Sequence, residues 1–462
     1  MRFQLKHFLV VIIALLVVVI GFNWWHQAHH FNKNTTINGI NVGGLTTKQA
    51  LEKVKSTKND NKVYLNGKLI YDGPDSDSTF TSADQTKIQN AFHKQFTFFP
   101  SRKVHSLHVT PTKQENTQDA AKKAAVLANI QRENNGCQAP VDAYAELKDG
   151  KVITHKGQKG NKIDEQLILN QLSSQSINSE IHLNSKEQQP LSVNSKVVQN
   201  QKKQLQKLVN KKVDYRVEKT TYHFTTDNVI TSATYKNGSY QFNTTAVNKK
   251  INEINKKQAT LGKAFKFKTP DGKDITTEKG GSYGWKISPK RAGQTLAKAI
   301  ADGKDSVSAK SDIYGIGYNT RGTGYGVTEN DGIGNTYAVI SIADQHAWFY
   351  KNGKCVDDVD VVTGKMSNKA DQTPKGVWYI MYKQSPSVLK GTSDDGSKYS
   401  SKVQYWAQFT NSGCGFHDAS WRHNWSKTAY LNDGSNGCAN MHPSDAAGAY
   451  NSLEVNEPVV IY

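Results

Sequence analysis

A chain of 462 residues with a hydrophobic share of 36% is long enough for several modest cores under a hydrophilic surface. Its net charge is +19, from 59 Lys and Arg against 40 Asp and Glu, which draws it toward anionic polymers and membrane surfaces. The lysines are dispersed and no basic motif of a nucleic-acid reader is present, so no nucleic-acid partner is expected; four cysteines are too few for a disulfide scaffold.

Arg2, Lys6 and His7 precede an apolar run from Phe8 to Phe22, which Trp24 and Trp25 extend to 18 residues, near the minimum for a membrane-spanning helix. The tryptophans suit the headgroup interface, and the basic flank places the amino terminus in the cytoplasm. A cleaved signal peptide is the rival, but the bulky Asn23-Trp24-Trp25-His26 stands where a small-x-small cleavage site belongs. Residues 1–30 are therefore expected to be a cytoplasmic start and an uncleaved transmembrane anchor, with the rest of the chain outside the cytoplasm.

The polar run HQAHHFNKNTT, from His26 to Thr36, reads as a flexible spacer. Ile37, Ile40 and Val42 before Gly43-Gly44 suggest a short strand and turn, and Thr46 is placed to cap a helix carrying Ala50, Leu51 and Val54. This opening resembles the start of wall-associated extracellular modules of Gram-positive bacteria and defines a module over 31–116. A helical pattern from Asp119 to Arg132, a hairpin signal at Lys148-Asp149-Gly150-Lys151 and Gly160 to Asp164 entering a helix with Leu167, Ile168 and Leu172 come next. The plan returns with a turn at Lys236-Asn237-Gly238, then Gly284 to Ser288, Pro289 and a helix with Leu296, Ala299 and Ile300. The shared G-x-x-I-(D/S) entry to a helix marks two α+β repeats, 117–198 and 199–325. Both resemble the peptidoglycan-binding domain that often precedes L,D-transpeptidase catalytic domains; a rigid spacer without a ligand is the other reading. Residues 311–334 are Gly-rich and lack a periodic apolar face, as in a linker or extended crossing segment.

Strand patterns begin at Tyr337–Ile342 and His346–Tyr350, with Asn352-Gly353 a hairpin turn between apolar runs. Val359–Val362 ends at Thr363-Gly364, and Thr373-Pro374-Lys375-Gly376 leads into Val377–Ile380. Further on, Cys438 follows Gly437 at the end of a polar turn. Glycine lets the backbone turn tightly and a substrate approach. A thiol there becomes a nucleophile if a base is near, and His417 lies 21 residues upstream, far enough to fold back beside it.

Ser435-Asn436-Gly437-Cys438-Ala439-Asn440-Met441 resembles the catalytic motif of the L,D-transpeptidases, the YkuD-like family: a His, a spacer, then Ser/Thr-His-Gly-Cys, a small or apolar residue, Asn or Arg, and an apolar residue. Asn436 stands where the family usually has His. Gln345, Asn352-Gly353-Lys354, Thr363-Gly364, Thr373-Pro374 and Gly376 fit the family in order, so the resemblance covers 335–462. It implies a mainly-β catalytic domain, a β-sandwich with short helices, acting on peptidoglycan stem peptides: a donor tetrapeptide and an acceptor amine.

In that family reading Cys438 is the nucleophile, His417 the general base and acid, the Asp418 main-chain carbonyl the group that orients His417, and Gly437 an oxyanion-binding N–H. Trp421, Ser435, Asn436 and Asn440 line the substrate cleft. No cofactor or metal is implied. The protein would be a single-pass membrane protein with its catalytic domain in the cell wall, where anionic wall polymers are further partners. The runner-up enzyme is an L,D-carboxypeptidase using the same pair. A different class, a non-catalytic wall-binding protein, would use Cys414, His417, Cys438 and His442 as a Cys2His2 zinc set.

Overall fold

The computed structural model describes residues 2–113, 119–392 and 396–462, so the boundary drawn at 116/117 lies outside the described residues. The chain forms two compact units, Met1–Tyr144 with Lys156–Ser195, and Ala145–His155 with Lys196–Tyr462.

The first unit begins with one long helix, α1 (Arg2–His29). Its stretch His7–His29 is long and apolar enough to cross a membrane, and its apolar residues from Phe8 to Phe22 are exposed. The polar run after it is not a spacer. Phe31 enters a core with Ile37, Val42, Leu51 and Phe92, and Asn32 is buried beside it. One aromatic side chain in a polar run is enough to fix the chain when a pocket for it exists. Thr35–Ile37 pairs with Ile40–Asn41 and runs parallel to His105–Leu107. Thr46 and Gln49 cap the helix Thr47–Ser56 reciprocally, satisfying donors that the first turn leaves open.

A second core in this unit gathers Val63, Leu65, Val126, Ile130, Ile168, Ile181 and Leu183. Here Lys62–Leu65 forms a hairpin with Lys68–Asp72 and takes Glu180–Leu183 as a parallel partner. The second unit contains the same arrangement: Lys212–Val217 pairs with Thr220–Thr225 and, in parallel, with Ser306–Ser308. The two G-x-x-I-(D/S) elements are also alike. Asp164 Oδ1 accepts from the Leu167 N–H at 3.0 Å, and Ser288 Oγ accepts from the Arg291 N–H at 3.4 Å. A Cβ at Gly160 would lie 2.2 Å from the Gln138 carbonyl oxygen, and one at Gly284 2.5 Å from the Leu261 nitrogen, so both positions demand glycine. Strand pairing does not respect the boundary drawn at 198/199. The hairpin Tyr144–Lys148/Lys151–His155 joins Ser232–Lys236/Ser239–Asn243 in one four-stranded sheet.

The Gly-rich segment 311–334 is an extended crossing held at several points. Ile313–Tyr314 pairs with Lys286–Ile287, Tyr325 packs edge-on against Trp285, and Tyr379 Oη donates to the Ile316 carbonyl at 2.8 Å. Phe265, Phe267 and Tyr283 share a core with Val339, Val377, Tyr379 and Val460, so the preceding module is packed onto the final domain.

The strands of the final domain are β1 (Tyr337–Ser341), β2 (His346–Lys351), β3 (Lys354–Val362), β4 (Gly376–Tyr379), β5 (Tyr382–Gln384), β6 (Ser387–Thr392), β7 (Lys398–Val403), β8 (Trp406–Gln408), β9 (Gly415–Asp418), β10 (Ala439–Met441) and β11 (Pro458–Ile461). All but the hairpin β6–β7 form a nine-stranded sheet in the order β4-β11-β1-β2-β3-β10-β9-β8-β5. This replaces the expected β-sandwich, and β3 is the reason. Its earlier residues pair with β2, whereas Val361 and Val362 pair with Met441 and Asn440 of β10, so one strand joins both halves. The sheet is covered on both faces. Along β1, Ala338 and Ile340 enter one core and Val339 the other, as period-two alternation requires.

Candidate active site

His417 sits on β9 and Asn440 on β10, which run in parallel and pair Phe416 with Ala439, His417 with Asn440 and Asp418 with Met441. Parallel neighbours need a crossover, and the residues between 418 and 439 supply it. Paired residues project from the same face of a sheet, so the His417 ring and the Asn440 amide meet, Nε2 to Nδ2, at 2.9 Å. Arg422, in the crossover, fixes which way that amide points. Its Nε donates to Asn440 Oδ1 at 3.0 Å and its Nη1 to the Asp433 carbonyl at 2.6 Å. Arginine has no acceptor, so Oδ1 faces Arg422 and the NH2 group faces His417. His417 Nε2 is then the acceptor, and the ring proton resides on Nδ1, which donates to the Asp418 carbonyl at 2.9 Å. The chain Arg422–Asn440–His417–Asp418 thus selects one tautomer. The ring is buried at 3% exposure, stacked under the half-exposed Trp421 with centroids 5.7 Å apart, and flanked by Trp406 at 5.8 Å.

Cys438 immediately precedes β10 and is partly exposed, with its Sγ 3.7 Å from the Gly413 carbonyl oxygen. The turn that presents it is built from its own residues. Ser435 Oγ donates to the Cys438 carbonyl at 2.6 Å and accepts from the Gly437 N–H at 3.1 Å. Thr373 Oγ1 donates to the Gly437 carbonyl at 2.9 Å and accepts from the Gly364 N–H at 2.8 Å. The Ser435 main chain is clamped by Thr363 and Lys365, both at 2.9 Å. The Thr363-Gly364 and Thr373-Pro374 elements, far away in sequence, are therefore the wall of the cysteine turn. Gly437 has φ 109°, and a Cβ there would lie 2.7 Å from Cys414 Sγ.

The sequence model of the L,D-transpeptidase catalytic domain (YkuD) matches residues 335–461. That part of the chain belongs to the L,D-transpeptidase catalytic-domain family. A crystal structure of a cysteine-to-serine mutant of Enterococcus faecium L,D-transpeptidase is 27% identical over 56% of this chain and 98% of that one, with a TM-score of 0.42. The NMR structure of the E. faecium L,D-transpeptidase catalytic domain acylated by ertapenem is 36% identical over 28% of this chain and 97% of that one, with a TM-score of 0.25. No curated protein matches the chain.

Within this L,D-transpeptidase domain the electrostatics keep both candidate catalytic groups neutral at rest. Burial holds the His417 pKa down at about 4, although the Asp418 carbonyl and carboxylate oppose it. Burial pushes the Cys438 thiol up to about 12, with Cys414 adding to the rise and the Gly415 N–H pulling the other way. The expected cleft residues take varied places. Trp421 caps the His417 ring. Asn436, at the position where the family pattern has His, is exposed on the turn. Ser435 is buried and its hydroxyl is spent on the turn, not on the cleft. The Gly437 N–H, expected to bind an oxyanion, is directed at Ser435 Oγ, because the hydroxyl lies inside the tight loop that the amide closes. The Asp418 carboxylate is also buried. Its Oδ1 accepts from the Gln404 and Tyr405 N–H groups, each at 2.8 Å, and so fixes the chain before β8.

Two residues were not foreseen. Arg422 follows His417 by five positions, but only the crossover brings it to Asn440. Tyr399, on β7, is close enough to Cys438 and Asp371 for both to add to the burial that raises its phenol pKa. Its partner in the β6–β7 hairpin is Gly391, where a Cβ would lie 2.3 Å from the Tyr399 oxygen, so glycine leaves room for the ring to fold over. All four cysteines are free. Among the described residues no group of three or more His, Cys, Asp or Glu is placed to hold a metal ion. The four residues of the zinc alternative are differently engaged: Cys414 Sγ packs in the core, and His442 Nδ1 bonds Ser444 Oγ at 3.0 Å.

Proposed function

We propose that this chain is a peptidoglycan L,D-transpeptidase that forms 3-3 cross-links through a thioester on Cys438. What supports this reading is a histidine of fixed tautomer, His417, paired across the sheet with Asn440, two residues past a cysteine on a glycine turn, in an L,D-transpeptidase domain. As the Cys438 sulfur attacks the carbonyl of the third residue of a donor stem tetrapeptide, the Asn440 amide releases Nε2 and the thiol proton passes to it. Since thiol and imidazole rest neutral, transfer and attack are coupled in one step. The bond to the terminal D-Ala breaks, His417 returns the proton to the leaving amine, and D-Ala departs. The side-chain amine of a neighbouring stem then attacks the thioester while His417 takes its proton, and the thiol is regenerated. With the Gly437 N–H turned to Ser435, the Cys438 N–H is the candidate donor to the oxyanion. Trp421 and Tyr399 flank the approach. No cofactor enters.

In this reading α1 anchors the protein in the cell membrane and the remaining residues lie outside it. The two similar α+β segments carry the catalytic domain into the wall as peptidoglycan-binding modules. The reaction is tested by incubating the protein with a carbapenem and with purified stem tetrapeptides, and weighing the products. The expected result is a covalent adduct and a cross-linked dimer, both abolished by Cys438→Ala and both retained by Cys414→Ala. Tripeptide and free D-Ala without dimer would assign the carboxypeptidase reaction instead. An adduct on Cys438→Ala would remove the nucleophile assignment.

A further inference from the structure

The helix Gln85–Gln95 buries Ile88, Ala91 and Phe92 in the first core and ends at the buried Gln95. The next nine residues, Phe96-Thr-Phe-Phe-Pro-Ser-Arg-Lys-Val104, reverse that pattern. Phe96 is exposed, Phe98 is 57% exposed, Phe99 59% and Val104 76%. A single exposed apolar side chain needs no explanation, but four in one short loop do. The Phe98 and Phe99 rings pack edge to face with centroids 5.0 Å apart, so they present one apolar tip. Arg102 and Lys103, beside it, are exposed, and the loop contains no acidic residue.

The loop is tied to the end of α1. Gln27 Nε2 donates to Thr97 Oγ1 at 3.2 Å and to Asn32 Oδ1 at 2.7 Å. Asn32 receives the Ser101 N–H on Oδ1 at 2.9 Å and donates through Nδ2 to the Gln95 carbonyl at 3.1 Å. Asn34 Nδ2 donates to the Arg102 carbonyl at 2.8 Å. These bonds set the level of the loop along α1 at Gln27, two residues past the exposed Trp24-Trp25 pair. At about 1.5 Å of rise per residue that is about 3 Å. Tryptophans at the end of an apolar helix sit at the headgroup level of a bilayer, so the aromatic tip sits at that level too.

We propose that the loop 96–104 is a second membrane contact: Phe96, Phe98 and Phe99 enter the interface of the bilayer that α1 crosses, and Arg102 and Lys103 meet anionic phospholipid headgroups. The proposal rests on the reading of α1 as a membrane anchor. Two contacts hold the first unit against the bilayer where one helix would leave it free to swivel.

The test reconstitutes the full chain into vesicles of phosphatidylcholine and phosphatidylglycerol doped with a photoreactive phospholipid, irradiates them, and maps lipid adducts by peptide mass spectrometry. Adducts are expected on α1 and on 96–104, above the level on the exposed Val388 hairpin. Phe98→Ser with Phe99→Ser should remove the loop adducts and spare those on α1; both side chains lie outside the cores, so the fold is untouched. Adducts on α1 with the loop at the hairpin's level overturn the proposal while the anchor stands. No adducts on α1 overturn the anchor and the proposal together.

Discussion

The neutral resting pair makes a sharp claim about pH. If His417 accepts the thiol proton during attack, acylation by a carbapenem requires only neutral imidazole and intact thiol. With His417 held at about 4 and the thiol at about 12, both conditions are met across the whole accessible range. The second-order acylation rate is therefore expected to be flat between about pH 5 and 9, with an acid limb only as His417 protonates. Removing the base exposes the alternative route. A thiol near 12 is ionised in about one molecule in 10⁵ at pH 7 and about one in 10³ at pH 9. His417→Ala should thus lose about 10²–10⁴-fold at pH 7 and acquire a tenfold climb per pH unit. The assay is a time course of intact mass at each pH with excess carbapenem, fitted for the initial rate. A wild-type rate that itself climbs tenfold per unit would mean that a preformed thiolate attacks without help. A wild-type midpoint near 6.5 would mean that His417 titrates as if exposed. Either result refutes the argument from burial.

Asn440→Asp should move the acid limb of that profile upward, because a carboxylate facing Nε2 favours the imidazolium; an unmoved limb would show that the amide does not face the ring. Asn440→Ala should slow acylation by about 10–100-fold, the cost of a misoriented ring and an unpartnered Arg422 Nε, with the thiol still titratable by a disulfide reagent. Gly437→Ala combines a backbone at φ 109° with a Cβ 2.7 Å from Cys414 Sγ, and should destabilise the catalytic domain by about 2–5 kcal/mol in urea denaturation followed by loss of carbapenem labelling. Adding Cys414→Ala should recover the contact part of that loss and leave the backbone part.

The strands of the catalytic domain were readable because their determinants are local. The apolar run along Tyr337–Ser341 and the Asn352-Gly353 turn fix β1 to β3 with no reference to the rest of the chain. The pairing of His417 with Asn440 was not readable, since register across a twenty-residue crossover depends on how Arg422 and Trp425 pack within it. The burial of Phe31 was hidden by its polar neighbours. Its pocket is made by residues up to Val109. The extent of the two similar α+β segments was hidden for a related reason. A parallel strand such as Glu180–Leu183 completes a sheet begun more than a hundred residues earlier, and no local signal announces it.

The motif itself was legible as a list of residues but not as a division of labour. The family resemblance makes Ser435 and Asn440 cleft residues and the Gly437 N–H an oxyanion donor, yet their polar groups do different work. Ser435 and the Gly437 amide are consumed in closing the turn, with Thr373 bracing the Gly437 carbonyl. Asn440 is consumed in setting the histidine. The sulfur of Cys438 takes no part in these bonds and stays partly exposed, with Tyr399 near it. Asn436 is exposed on the outside of a turn braced by Ser435 and Thr373, and is not required for that turn to hold. The tautomer of His417 depends on one guanidinium contact to Asn440, and that contact comes from a crossover that Lys427 ties to Asp360 on β3.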